Sequence, residues 1–186
     1  MNASVCADCM RARGRAIFRR VTVPGTITLA NLHNVIQIAM GWGNYHLCLF
    51  EIGREQYGEG LSEWNDFEQR VLNAKRTTLE EVISRKGSRF RYTYDMGDGW
   101  NHEIKVESIL DGTGEIRCLE GQRSCPPEDC GGPHGYQELL EKLFDPRHPE
   151  HQEMREWAGD FAPEQFSLEV VNRSLVRLNR ARKRAS

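Results

Sequence analysis

Apolar and polar residues alternate along several segments in the first two thirds of the chain, which predicts strands. Residues 17–23 are rich in β-branched and aromatic side chains and end at a Pro-Gly turn, and residues 46–52 predict another strand. Two further alternating segments, 90–94 and 100–108, flank the sequence Asp95-Met96-Gly97-Asp98-Gly99. Because Gly and Asp favour tight turns, we expect these two segments to form a β-hairpin.

Apolar residues at helical spacing predict one early helix and a helical C-terminal third. The early helix has Thr28 as its N-cap and ends at Gly41, and a short helix is expected at 78–84. After residue 134, apolar stripes predict three helices, the last of which begins after Ser167. Strands first and helices last indicate an α+β fold with a mixed or antiparallel sheet, and we expect residues 1–186 to form a single domain.

Composition excludes several classes of protein. The 186 residues are 39% hydrophobic and 28% charged, which is typical of a globular chain and not of a disordered one. No apolar run reaches the roughly 18 residues that a membrane helix needs, and the N-terminus lacks the pattern of a signal peptide. We therefore expect a soluble, cytoplasmic protein that makes no membrane contact.

Charge is unevenly distributed, although the formal net charge is only −2. Residues 128–165 hold ten acidic and three basic residues, whereas residues 168–186 hold one acidic and six basic residues. Such segregation can guide a macromolecular partner, but solvated surfaces also produce it.

Four sequence blocks stand out by their composition and order. They are Leu32-His33-Asn34-Val35-Ile36-Gln37-Ile38-Ala39-Met40-Gly41-Trp42 with His46-Leu47; Tyr92-Thr93-Tyr94-Asp95-Met96-Gly97-Asp98-Gly99-Trp100-Asn101-His102; Cys125-Pro126-Pro127-Glu128-Asp129-Cys130-Gly131-Gly132 with Gly135-Tyr136; and Asp145-Pro146-Arg147-His148-Pro149-Glu150-His151. In this order and spacing they resemble the signature of the Ri-plasmid open-reading-frame-three family over roughly residues 15 to 180.

The resemblance implies a protein of plasmids and insertion elements with no established activity. Some members of the family carry a resolvase-like label, but no serine-recombinase motif is legible in this chain, and we do not expect that function. The chain departs from the family at Ala16-Ile17-Phe18-Arg19-Arg20, where the family has a Pro and a Trp, and in its first ten residues. These departures leave the first strand in question.

Two carboxylates and an imidazole around the hairpin form the first candidate site. Asp95, Asp98 and His102 could hold a hard metal ion or transfer protons, with Glu128 and Asp129 as further ligands. The alternative is structural, since Asp side chains commonly accept backbone N–H bonds in Gly-rich turns. In that case Trp100 packs in the core with His102 beside it, because strand alternation places both on one face.

Thiols form the second candidate site. Cys118, Cys125, Cys130 and His134 supply four soft ligands, the number that structural zinc favours. The alternative is a rigid loop whose two acids, Glu128 and Asp129, stabilise the N-terminus of the following helix. Cys6 and Cys9 could belong to a joint site with Cys125 and Cys130, but two incidental thiols near a frayed terminus are the simpler interpretation.

Two isolated histidines and a basic surface complete the candidates. His33 lies beside the apolar stripe of the early helix and His46 opens a strand, positions where histidines are usually structural but where they could join a site. A basic surface that could bind nucleic acid is formed by Arg19, Arg20, Arg173, Arg177, Arg180 and Arg184.

The chain lacks a P-loop, a Rossmann fingerprint and a Gly-x-Ser-x-Gly motif, and its charge is segregated. Together with the context that the family resemblance implies, this favours a binding or accessory domain that recognises another macromolecule in the context of mobile DNA. The alternative hypothesis is a metal-dependent hydrolase or nuclease that uses the Asp/His cluster. Whether the protein is an enzyme stays open at this point.

Overall fold

The computed structural model describes residues 2–12, 15–59, 70–111 and 114–185. The strands are β1 Asn2–Ala12, β2 Arg15–Pro24, β3 Cys48–Ile52, β4 Glu55–Gly58, β5 Val71–Asn73, β6 Arg89–Tyr94, β7 Trp100–Leu110 and β8 Arg117–Gln122. The helices are α1 Leu29–Met40, α2 Leu79–Val82, α3 Gly132–Phe144, α4 His151–Ala158 and α5 Leu168–Ala185.

Within these ranges, the strands form one sheet in the order β5-β4-β3-β6-β7-β1-β2-β8. Neighbouring strands are antiparallel except β4 and β5, which are parallel. The sheet is therefore mixed, and with an early helix and three C-terminal helices the α+β prediction is confirmed.

The predicted hairpin and helix ends are also confirmed. β6 and β7 pair directly, with Tyr94 opposite Trp100. The Thr28 hydroxyl accepts a hydrogen bond from the Asn31 N–H at 3.2 Å, and Gly41 ends α1 with a φ of +100°. These contacts satisfy backbone groups that a helix leaves unpaired at its ends.

β1 is the main departure from the sequence prediction. The N-terminus was expected to fray, but β1 lies between β7 and β2, inside the sheet. Ala3, Val5 and Ala7 alternate toward the core and are each at most 3% exposed. Small side chains carry a weak strand signal on their own, so pairing on both sides of β1 determines its structure.

One face of the sheet is buried and the other carries ion pairs. β6 and β7 contribute Phe90, Tyr92, Tyr94, Trp100, His102, Ile104 and Val106 to the core. On the opposite face Arg20 lies 2.6 Å from Glu107 and Arg91 lies 3.4 Å from Glu51. This division of polarity is common for an antiparallel sheet with helices on one side.

α5 covers the outer edge of β8. The side-chain amide of Asn172 bonds both the N–H and the C=O of Cys118, each at 2.9 Å. Asn179 bonds the N–H and the C=O of Ile116 at 3.0 and 2.8 Å. These amides take the place of a further strand, because an edge strand otherwise leaves its backbone groups unpaired.

Among the described residues, no helix combines the length and the apolar character that crossing a bilayer requires.

Candidate functional site

An acidic loop, defined here as residues 125–131, packs against the turn between β6 and β7. Gly132, which follows the loop, has a φ of +67°, and a Cβ atom at this position would overlap the Asp98 carbonyl oxygen. Glycine therefore permits a close approach that no other residue allows. The Trp42 indole N–H anchors the start of the loop by donating to the Pro126 carbonyl at 3.0 Å.

Strand pairing brings His46 next to Asp95. β3 and β6 are antiparallel, with Cys48 opposite Tyr94. His46 lies just before β3 and Asp95 just after β6, so both lie at the same end of this strand pair.

Asp95 adopts an unusual backbone conformation and supports the turn. Its φ is +56°, a left-handed value that is uncommon outside glycine. Its Oδ1 accepts hydrogen bonds from the N–H groups of Gly97 at 2.9 Å and Asp98 at 3.3 Å. The structural interpretation of Asp95 is thus correct for one carboxylate oxygen, while Oδ2 points toward His46.

Four side chains converge at this end of the sheet, and we call His46, Asp95, Glu128 and Asp129 the His46 cluster. His46 Nε2 lies 3.6 Å from Asp95 Oδ2, 4.0 Å from Glu128 Oε2 and 3.2 Å from Asp129 Oδ1. Of the described His, Cys, Asp and Glu residues, His46, Asp95 and Asp129 form the only group of three whose potential ligand atoms all lie within 4.8 Å of one another.

Glu128 is held in place by two donors. Its Oε1 accepts hydrogen bonds from the Gly43 N–H at 2.8 Å and from the Tyr94 hydroxyl at 3.0 Å. Burial, together with the hydrogen bond to Glu128, raises the pKa of Tyr94, so this phenol keeps its proton and donates it. The sequence did not indicate that Tyr94 contacts the site, because its alternation with Tyr92 predicts only a core position.

The helix-capping interpretation of the two acids is wrong. α3 has Gly131 as its N-cap, and no side chain caps it. Glu128 and Asp129 instead turn toward His46.

His33 lies near the cluster but has its own partners. Its Nδ1 is 2.7 Å from the Tyr92 hydroxyl and its Nε2 is 2.6 Å from Asn44 Oδ1. Burial lowers the pKa of His33, and the bond to Asn44 offsets part of that effect. Both ring nitrogens are therefore engaged by described side chains.

Trp100 and His102 are core residues, 1% and 0% exposed. The His102 ring packs edge-on against Trp42, with ring centroids 5.3 Å apart. Among the described residues, Asp95, Asp98 and His102 do not assemble into a group of potential ligands. The structure therefore does not favour the hydrolase or nuclease hypothesis built on these three residues.

The four proposed zinc ligands do not converge either, within the part of the chain that the structure describes. Cys118 is buried in β8, and burial raises the pKa of its thiol to about 11. His134 is on the surface of α3, where its Nδ1 lies 3.4 Å from Glu138. Cys125 and Cys130 pack against the core. Cys6 and Cys9 lie in β1, in the interior of the sheet.

The arginines divide into two groups. Arg19 is 3% exposed and donates to the carbonyl groups of Ala39, Phe18, Gln122 and Arg123 at 2.7 to 2.9 Å, so it does not belong to a basic surface. Arg173, Arg177 and Arg180 are exposed on α5, while the side chain of Arg184 lies outside the described ones. The described contacts add no support for a nucleic-acid interface.

A groove of about 570 Å³ runs between the acidic loop and the C-terminal helices. Arg19 lies in the lining of the groove, and its Cζ atom is 4.4 Å from the centre of the Phe166 ring. Its apolar lining includes Met40, Trp42, Pro126, Trp157, Phe161 and Val170. Trp157 is 50% exposed and Val170 is 58% exposed, unusually high fractions for large apolar side chains in one groove. This surface could not be predicted from the sequence, because its lining residues belong to segments that are far apart in the chain.

Comparison with known proteins gives one consistent result. The family model of the plasmid pRiA4b ORF-3-like protein matches residues 9–170. The uncharacterised protein y4hQ of Sinorhizobium fredii (strain NBRC 101917 / NGR234) is 45% identical over 146 residues, which are 77% of this chain and 74% of that protein. The crystal structure of MM3350 from Methanosarcina mazei Go1, a protein of unknown function, superimposes with a TM-score of 0.78 at 30% identity, covering 90% of this chain and 96% of that one.

Proposed function

Because this chain belongs to the plasmid pRiA4b ORF-3-like family, whose matched relatives have no assigned activity, we propose that it is a binding domain for an apolar segment of a protein partner. The binding site is the groove between the acidic loop and the helices α4 and α5. We place this role in the context of plasmids and mobile elements, and the family description supports the plasmid context.

The observation that carries the proposal is the exposure of Trp157 and Val170 in one concave surface. A Trp side chain supplies a large contact area at a low cost in conformational entropy, and aromatic residues are enriched where binding energy concentrates. Helix-lined apolar grooves commonly accept an amphipathic helix whose apolar side faces inward. A volume of about 570 Å³ accommodates a few such side chains.

Charge around the groove indicates the chemistry of the partner. Residues 150–164, which supply the Trp157 wall, contain five acidic residues and one arginine. Glu128 lines the opposite wall, while α5 contributes the uncharged side chains of Val170, Val171 and Ser174. Because opposite charges attract at an interface, the partner segment is expected to carry Lys or Arg beside its apolar anchors.

The test uses fluorescein-labelled model peptides and the full chain, followed by fluorescence anisotropy. One peptide combines Leu with Lys at helical spacing, and a matched peptide replaces every Lys by Glu. The Leu/Lys peptide should bind with a dissociation constant on the order of 10 µM, a typical value for a modest groove. The Trp157→Ala variant should weaken this affinity at least tenfold.

Two valines of α5 supply a matched control. Val170 lines the groove, whereas Val176 is 41% exposed and lies outside its lining. Val170→Ala should reduce affinity severalfold, and Val176→Ala should leave it unchanged. Equal binding of the Leu/Glu peptide, or equal effects of the two valine variants, would show that the groove is not a specific binding site.

A further inference from the structure

The His46 cluster has a different chemical character from the apolar groove. We propose that His46, Asp95, Glu128 and Asp129 bind one divalent transition-metal ion, with Mn²⁺ or Zn²⁺ as the preferred species. Glu128 borders both the cluster and the groove, but metal binding in the cluster requires no activity and no partner.

Distances within the cluster match those of a metal coordination sphere. His46 Nε2 is 3.2, 3.6 and 4.0 Å from the nearest oxygen atoms of Asp129, Asp95 and Glu128. Ligand atoms about 2.0 to 2.2 Å from one ion lie about 3 to 3.5 Å apart in octahedral or tetrahedral arrangements. The ligand atoms of His46, Asp95 and Asp129 all lie within 4.8 Å of one another, so small side-chain adjustments bring these three into range. Glu128 is outside that group and lies farthest from His46, so it requires a larger movement.

Two polar atoms of the cluster receive no hydrogen bond from the described residues, and one of them, His46 Nε2, is buried. Asp95 is 8% exposed, and its Oδ1 supports the turn while its Oδ2 receives no hydrogen bond from the described residues. His46 Nε2 is buried and lacks a hydrogen-bonding partner, although Asp129 Oδ1 is only 3.2 Å away. Leaving a buried polar atom without a partner destabilises the fold, and coordination to a cation removes this cost.

Electrostatics favours a cation at the same point. Three carboxylates converge, and among the described residues no Lys or Arg forms an ion pair with Asp95, Glu128 or Asp129. Neighbouring carboxylates repel one another, and a bound divalent ion neutralises such a group.

The donor set indicates which metals fit. One imidazole and two or three carboxylates suit Zn²⁺, which imidazole favours, and Mn²⁺, which carboxylates favour, whereas Ca²⁺ and Mg²⁺ prefer oxygen ligands alone. Glu128 is also fixed from behind, because Gly43 N–H and Tyr94 OH bind its Oε1 and leave Oε2 toward His46. Outer contacts of this kind orient the ligands of metal sites.

The experiment uses the full chain without a His-tag, after treatment with a chelator and exchange into metal-free buffer. Isothermal titration with MnCl₂ and with ZnSO₄ should give one equivalent, and the electron paramagnetic resonance signal of free Mn²⁺ should fall accordingly. Ca²⁺ and Mg²⁺ should bind at least tenfold more weakly. His46→Gln, Asp95→Asn and Asp129→Asn should each weaken Mn²⁺ binding at least tenfold.

Controls separate binding from folding. His134→Gln alters an exposed histidine outside the cluster and should leave Mn²⁺ affinity unchanged. Asp129 has a side chain that is 72% exposed, so Asp129→Asn keeps the fold even where a change at buried Asp95 does not. Near-ultraviolet circular dichroism checks the fold of each variant.

Two outcomes overturn the proposal. In the first, the wild-type chain binds neither Mn²⁺ nor Zn²⁺ stoichiometrically, and nuclear magnetic resonance shows a proton on both nitrogens of His46. The cluster is then an imidazolium–carboxylate ion pair. The other is a folded Asp129→Asn variant with wild-type affinity for both ions. Neither outcome affects peptide binding in the groove, so the two proposals stand or fall separately.

Discussion

His102 is a neutral imidazole in the core, and its burial makes stability depend on pH. Its Nδ1 lies 3.0 Å from the Trp100 carbonyl and 3.2 Å from the Tyr92 carbonyl. Because carbonyl oxygen atoms only accept hydrogen bonds, Nδ1 carries the proton and Nε2 the lone pair. Burial lowers the pKa of His102 to about 4, and the two carbonyl contacts offset part of this shift.

Acid should therefore weaken the folded state through this residue. An unfolded chain protonates histidine near pH 6.5, whereas folded His102 takes up a proton only near pH 4. Above about pH 6.5, His102 is neutral in both the folded and the unfolded chain, and its protonation does not reduce the free energy of unfolding. As the pH falls from 6.5 toward 4, the free energy of unfolding should decrease by an amount on the order of 3 kcal/mol. Urea unfolding at several pH values between 7.5 and 4 measures this loss.

The variant His102→Asn isolates the contribution of this histidine. An Asn side chain keeps a donor near the position of Nδ1 but does not titrate, so its free energy of unfolding should fall less steeply with acid than that of the wild-type chain. His134→Asn, at an exposed position, should keep the wild-type slope. If His102→Asn and wild type lose stability in parallel, His102 does not cause the pH dependence.

Gly132 determines how closely the acidic loop and α3 approach the turn between β6 and β7. An added Cβ would overlap the Asp98 carbonyl oxygen, and the φ of +67° adds backbone strain. Gly53 has a nearly equal φ of +65°, but nothing lies within 4 Å of its Cβ position. Replacing Gly53 by Ala should cost about 1 kcal/mol from strain alone, whereas Gly132→Ala should cost at least 2 kcal/mol more.

Equilibrium unfolding in urea compares the two glycine variants directly. Since Gly132→Ala also displaces Glu128 and Asp129 from His46, it should weaken Mn²⁺ binding, and Gly53→Ala should not. Equal losses of stability in the two variants would mean that the loop does not require this close approach.

Elements with strong local signals could be predicted from the sequence. Thr28 and Gly41 bound the early helix as expected, and the Asp95–Gly99 turn joins β6 to β7. β4, β5 and β8 were missed because they have only three to six residues and show no clear alternation of apolar and polar side chains.

The His46 cluster shows why a site is harder to predict than its parts. His46, Asp95, Glu128 and Asp129 were all named as candidates, but the sequence grouped the acids with His102, which faces the core. His46 and Asp95 meet through the pairing of β3 with β6, and the acids arrive through the loop that Gly132 positions. Both are long-range relations that neither periodicity nor spacing encodes.

At the scale of the whole molecule, the order of strands makes the N-terminus essential to the sheet. β1 pairs with β7 on one side and with β2 on the other. The strands β2 and β8, together with α5, therefore join the rest of the sheet through β1. The family match begins only at residue 9, inside this strand, so the boundaries of the match do not coincide with those of the fold.

A chain that starts at residue 13 should consequently fail to fold, because it loses two ladders of backbone hydrogen bonds and the buried Ala3, Val5 and Ala7. Such a loss is large in relation to the roughly 5–15 kcal/mol that stabilises a typical domain. Near-ultraviolet circular dichroism and thermal unfolding should show no cooperative transition. A synthetic peptide of residues 1–12 should restore both signals by adding the missing strand, and a scrambled peptide should not. A shortened chain that unfolds cooperatively without the peptide would instead mean that β7 and β2 can complete the sheet without β1.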